Sequence, residues 1–118
     1  MRFGVILFML ALLGASGLML WHSSNQQMLA NDITDEHELV FFSAPWCGYC
    51  DRARDWFDAE GINYLEIDIE ASTDGNRLWR DAGGRGVPLV LIGDQRIPGY
   101  APAAYAGALR ENAVVSGR

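Results

Sequence analysis

The 118-residue sequence contains no lysine: all nine of its basic residues are Arg. It is also poor in cysteine and histidine, with two of each, and has only four Pro and no internal repeat or low-complexity tract. Two Cys cannot staple a small disulfide-scaffolded fold, and they cannot alone fill a four-ligand zinc site. Positive charge is scarce as well. Beyond residue 21, eight Arg face fifteen Asp and Glu, a balance that argues against nucleic acid or an anionic lipid surface as an electrostatic partner. The length suffices for one domain and little else.

Charge is missing altogether from residues 3–21 (FGVILFMLALLGASGLMLW), a run of 19 residues. About 20 apolar residues cross a bilayer as a helix, so residues 1–21 read as an N-terminal hydrophobic helix serving as a transmembrane anchor. The small residues Ala15-Ser16-Gly17 offer a cleavage site, which makes a signal peptide, and a secreted or periplasmic product, the alternative. Arg2 precedes the run and no further basic residue occurs before Arg52. Retention of positive charge in the cytoplasm then predicts a single-pass protein of the inner (cytoplasmic) membrane, with its domain on the periplasmic side. Residues 22–36 read as a polar linker with at most a short helix, residues 37–113 as the folded domain, and 114–118 as a tail.

Within the domain, Leu39-Val40-Phe41-Phe42 is a short continuous apolar run, expected of a strand buried on both faces. Helical spacing from Cys47 to Glu60 puts Ala53, Trp56 and Phe57 on one side, and Gly61 closes it. Ile62–Asp68 alternates as a second strand, and Ala71–Ala82 is a second helix stopped by Gly83-Gly84. Leu89–Ile92 is a third strand, Gly93-Asp94 a tight turn of the II′ kind, and Arg96-Ile97 a fourth strand. Ala101-Pro102 opens a last helix. The order is β-α-β-α-β-β-α, an α/β domain whose first two strands are parallel and whose last two form a hairpin.

The two cysteines are spaced Cys47-Gly48-Tyr49-Cys50 where the first strand hands over to a helix. A C-x-x-C beside a βαβ pattern is a redox signature. At the first turn of a helix, unpaired N–H groups and the helix dipole favour a thiolate, which makes Cys47 the exposed, attacking sulfur. Cys50, nearly a turn later and deeper, is placed to resolve the mixed disulfide. The alternative is half of a metal site completed by a partner, to which neither His22 nor His37 adds ligand spacing. Trp46 and Tyr49 flank Cys47 as a contact surface. Trp56 and Trp79 are core residues by their helical positions, and Arg85 is a solvated cation near the site.

The stretch from Glu38 to Arg110 resembles the glutaredoxin family of the thioredoxin superfamily. The likeness lies in Phe42-Ser43, Trp46-Cys47-Gly48-Tyr49-Cys50, Gly86-Val87-Pro88 and Arg96-Ile97-Pro98-Gly99-Tyr100. The resemblance implies a minimal thioredoxin-like three-layer fold and a thiol–disulfide oxidoreductase that reduces or exchanges protein disulfides, glutathione mixed disulfides included. It implies a cis Pro88 beside the dithiol, with Val87, Pro88, Gly99 and Tyr100 joining Trp46 and Tyr49 as substrate contacts. Glutathione is implied as a reductant and not as a firmly held cofactor, and the protein as a monomer. The sequence departs from the family at Ala44, where a Lys usually stands, at Ala101-Pro102, where one or two Asp are usual, and at Pro98, which replaces the first Gly of a Gly-Gly pair. Gly48 replaces the usual Pro, as in glutaredoxin-like proteins that share a [2Fe-2S] cluster, so a non-enzymatic cluster carrier is the competing class.

Overall fold

The computed structural model describes Gly4 and residues 28–115. The elements are α1 (Ala30–Ile33), β1 (Leu39–Ser43), α2 (Gly48–Ala59), β2 (Tyr64–Asp68), α3 (Thr73–Asp81), β3 (Leu89–Ile92), β4 (Gln95–Pro98) and α4 (Pro102–Val115). From β1 onward this is the β-α-β-α-β-β-α order expected, a thioredoxin-like α/β fold around a four-stranded mixed sheet in the order β2-β1-β3-β4. β1 runs parallel to β2 and antiparallel to β3, which pairs antiparallel with β4.

The central position of β1 and β3 explains their composition. All nine residues of LVFFS and LVLI are buried, as required of strands covered on both faces. The edge strand β2 is half-buried throughout instead of alternating, because only one side of it has a neighbour. On the face that carries Phe41, α2 and α4 supply Phe57 and Tyr105. Phe57 packs edge-on to Phe41 at 5.4 Å between ring centres and lies 5.3 Å from Tyr105. Each such side chain contributes about 1.5–3 kcal/mol by leaving water, and the aromatic edges add geometric preference. The opposite face is covered by α3, whose Gly75 lies against Ile67 of β2.

Element boundaries differ from the sequence reading where caps decide them. Cys47 has extended backbone and is the N-cap, so α2 starts at Gly48. Ser72 Oγ accepts the Gly75 N–H at 2.9 Å, which delays α3 from Ala71 to Thr73. Ile62 bonds back to the Phe57 carbonyl at the end of α2, so β2 begins only at Tyr64. β4 extends a residue either side of Arg96-Ile97 because Ile92 pairs with Gln95 across a two-residue turn. Gly93 there has φ +57° and Asp94 does not have positive φ, the signature of a II′ turn with Gly in its first central position. Within the stretch read as a linker, Ala30 of α1 is buried against the core and Ile33 packs beside it.

One expectation is overturned. Among the described residues no helix is long and apolar enough to cross a membrane. The longest, α4, has 14 residues, about 21 Å against a hydrocarbon core of about 30 Å, and carries Arg110 and Glu111. The single-pass placement in the inner membrane, with a periplasmic redox domain, is therefore not upheld. Apart from Gly4, the run 3–21 on which it rested, and with it the anchor or signal read there, lies outside the described residues.

Candidate active site

The sheet register assembles the site. β1 leads into Ala44–Trp46 and then Cys47, whose N–H closes a turn onto the Ala44 carbonyl at 3.2 Å. Phe42 pairs with Leu89, which sets Pro88 level with Ser43 at the same end of the sheet. Leu89 in turn pairs with Pro98, and the Gly99 N–H donates to the Pro88 carbonyl at 2.9 Å. Three segments thus converge on one end of the sheet: the approach to Cys47, Val87-Pro88, and Pro98-Gly99. The Val87–Pro88 peptide is cis, as the resemblance implied.

Cys47 and Cys50 are joined as a disulfide, with Cα atoms 5.2 Å apart. The Cys47 sulfur caps α2, accepting the Cys50 N–H at 3.1 Å. Sequence spacing suggested an exposed Cys47; in the oxidised form only 5% of the residue is exposed, against none of Cys50. Both cysteines are thus buried in this structure, and the exposed position expected for Cys47 is not seen in the oxidised form. Among the described residues no group of three or more His, Cys, Asp or Glu is placed to hold a metal ion.

The flanking aromatics stand outward: Trp46 is 69% and Tyr49 61% exposed. The Trp46 indole N–H donates to Glu70 Oε1 at 2.7 Å, and the Arg52 guanidinium lies 5.4 Å from the centre of the Tyr49 ring. Val87, Pro88 and Gly99 line an open cleft of about 430 Å³ that also carries Arg85 and Arg96. Val87 makes no backbone hydrogen bond among the described residues. Tyr100 is half-buried against the core and does not line this cleft.

Several contacts around the site were not legible in the sequence. Trp79, expected simply as core, is half-buried and donates its indole N–H to the Gly86 carbonyl at 3.1 Å. Arg96 Nη1 donates to the Ala82 carbonyl at the end of α3 at 2.9 Å, a favourable place for a cation. Together they fix the loop that carries Arg85 and Gly86. Behind the dithiol, Arg54 of α2 makes a bidentate pair with Glu66 of β2 at 2.7 and 2.8 Å, and the buried Ser43 hydroxyl donates to the same carboxylate at 2.9 Å. The Arg54 guanidinium, opposed by partial burial, holds Glu66 below the usual carboxylate range, and Glu66 raises Arg54 in return. The pair ties α2 to β2, and the Ser43 hydroxyl joins the last residue of β1 to the same carboxylate. Only the β1–β2 register, which sets Glu66 beside Phe41, reveals it.

A C-x-x-C capping the helix that follows the central strand of such a sheet, level with a cis-proline on the adjacent strand, defines a thiol–disulfide oxidoreductase of the thioredoxin fold. The family model Glutaredoxin matches residues 39–97. The Pseudomonas aeruginosa Glutaredoxin is 31% identical over 62 residues, 52% of this chain and 74% of that protein. Glutaredoxin-C2 of Arabidopsis thaliana is 29% identical over 76 residues, 59% of this chain and 67% of the relative. Among solved structures, the buckwheat glutaredoxin–glutathione complex is 31% identical with a TM-score of 0.54, covering 70% of this chain and 82% of that one. The Archaeoglobus fulgidus glutaredoxin, 20% identical with a TM-score of 0.57, covers 73% and 98% and shares the fold. The chain belongs to the glutaredoxin family.

Proposed function

We propose that the protein reduces or exchanges disulfides in other proteins, with Cys47 as the attacking sulfur and Cys50 as the resolving one. The observation that carries this is the Cys47 sulfur at the cap of α2, receiving the Cys50 N–H. A thiolate there is favoured by the same donor and by the helix dipole. In the reduced protein, Cys47 thiolate attacks a substrate disulfide, forms a mixed disulfide and expels one substrate thiolate. Cys50 thiolate then attacks the Cys47 sulfur, breaks the mixed disulfide and releases the second substrate thiol. The product is the Cys47–Cys50 disulfide of this structure.

The substrate chain lies along Val87, whose backbone groups are unpaired among the described residues, over Pro88 and Gly99, with Trp46 and Tyr49 on its flanks. Glutathione enters as a co-substrate and not as a resident group: two glutathione thiols become one glutathione disulfide as the dithiol is regenerated. A related glutaredoxin, from buckwheat, has been solved with glutathione bound, and Arg85 and Arg96 give the cleft a positive rim. Reduction of insulin disulfides, with glutathione and with a non-physiological dithiol as alternative reductants, tests both parts. Equal turnover by Cys47→Ser and the unaltered protein would remove the mechanism. Turnover with the dithiol alone would remove glutathione.

A further inference from the structure

Tyr105 carries a buried hydroxyl that exchange at the dithiol does not use. The residue is fully buried in α4, its ring 5.8 Å from that of Trp56 and 5.3 Å from that of Phe57. A Phe would fill that space equally well, and an unpartnered hydroxyl there would be destabilising. The hydroxyl is not unpartnered: it donates to the Gly99 carbonyl. Burial pushes the phenol above its ordinary value, so it remains a donor throughout the neutral range.

Gly99 is the hinge of this contact. It has φ +82°, lines the cleft, and donates its own N–H to the Pro88 carbonyl. Both polar groups of this one residue are therefore held, its carbonyl by α4 and its N–H by Pro88, just before β3. A glycine at positive φ has no side chain to anchor it and many other conformations open to it. Without the Tyr105 hydroxyl, Gly99 loses its only side-chain tether among the described residues.

We infer that Tyr105 is a positioning residue for substrate binding: through Gly99 it fixes the Pro88 segment against which an extended disulfide substrate lies. The inference rests on the proposal that substrates lie along Val87-Pro88. Tyr105 touches neither sulfur's chemistry, so it governs capture of the substrate and leaves the exchange steps alone.

The test uses the full chain and insulin as the disulfide substrate. Tyr105→Phe keeps the packed ring and removes only the hydroxyl. It is expected to raise KM roughly 3- to 10-fold, the range for a lost hydrogen bond, while kcat stays within about twofold. Gly99→Ala reaches the same peptide without disturbing the aromatic packing. Its Cβ meets no atom within 4 Å, but φ +82° is strained for alanine, and it is expected to raise KM likewise. Tyr64→Phe is the control, removing a hydroxyl bonded to Asp58 at 2.9 Å near the C-terminal end of α2, and leaves KM unchanged. Unchanged KM in both Tyr105→Phe and Gly99→Ala overturns the inference. So does an equal KM rise in Tyr64→Phe, or a fall in kcat matching the loss of kcat/KM. An unaltered protein that reduces no disulfide would instead remove the exchange reading beneath it.

Discussion

Cys50 donates its backbone N–H to the sulfur of Cys47 at 3.1 Å while its own side chain is fully buried. One residue thus provides the donor that stabilises its partner's negative charge, and the second sulfur of the pair. The reduced protein is expected to show an asymmetric pair of thiols. Iodoacetamide should alkylate Cys47 faster than Cys50, because only Cys47 has its sulfur at the helix cap. Peptide mapping of the labelled protein across pH 4–10 checks this; equal labelling at every pH would contradict it.

Trp46 and Tyr49 are the most exposed aromatic side chains of the site, and removing them leaves the core untouched. Trp46→Ala and Tyr49→Ala are expected to lower kcat/KM for a protein disulfide by about 5- to 30-fold, the effect of losing an interfacial aromatic anchor. Stability should move by less than about 0.5 kcal/mol, as for other surface changes. Steady-state kinetics beside a thermal melt separates the two.

The Arg54–Glu66–Ser43 contacts predict how stability depends on acid. Glu66 has a lower pKa folded than unfolded. Its contribution is therefore fully present above the ordinary carboxylate range and is lost as pH falls through the folded value. Glu66→Gln should cost about 1–2 kcal/mol at pH 7 and leave a Tm–pH profile that is flatter below about pH 4.5 than that of the unaltered protein. Parallel profiles would show that the pair contributes nothing to folding.

Phe57 touches Phe41, Trp56, Tyr64 and Tyr105, joining α2 to the sheet and to α4. Phe57→Ala is expected to cost about 3–5 kcal/mol, from lost transfer energy plus the cavity left behind. Urea unfolding followed by tryptophan fluorescence measures it. A loss under 1 kcal/mol would mean that the core closes over the gap.

The element order and the dithiol were legible in the chain for separable reasons. Leu39–Phe42 and Leu89–Ile92 are continuous apolar runs because both strands lie between two neighbours and two helical layers, and composition records that directly. Cys47 and Cys50 are neighbours in sequence, so their spacing alone gives their chemistry. What sequence did not show are contacts made by register and capping. Glu66 meets Arg54 only once β1 and β2 are aligned. The Tyr105 hydroxyl looks like part of an apolar helix face until Gly99 is brought beneath it. Trp79 reads as core because nothing local announces that its indole N–H reaches the Gly86 carbonyl. The anchor read from the apolar run at residues 3–21 has no counterpart among the described helices.

The claim that Cys47 attacks and Cys50 resolves is tested most directly by trapping the intermediate. The full chain carrying Cys50→Ser is reduced, mixed with a disulfide-containing peptide in excess and examined by intact-mass spectrometry. The expected result is a stable gain of one peptide half, mapped to Cys47 and released by dithiol, with no such adduct accumulating in the unaltered protein. Absence of an adduct on Cys47, or a stable adduct on Cys50 in the Cys47→Ser protein formed at least as fast, would contradict the mechanism.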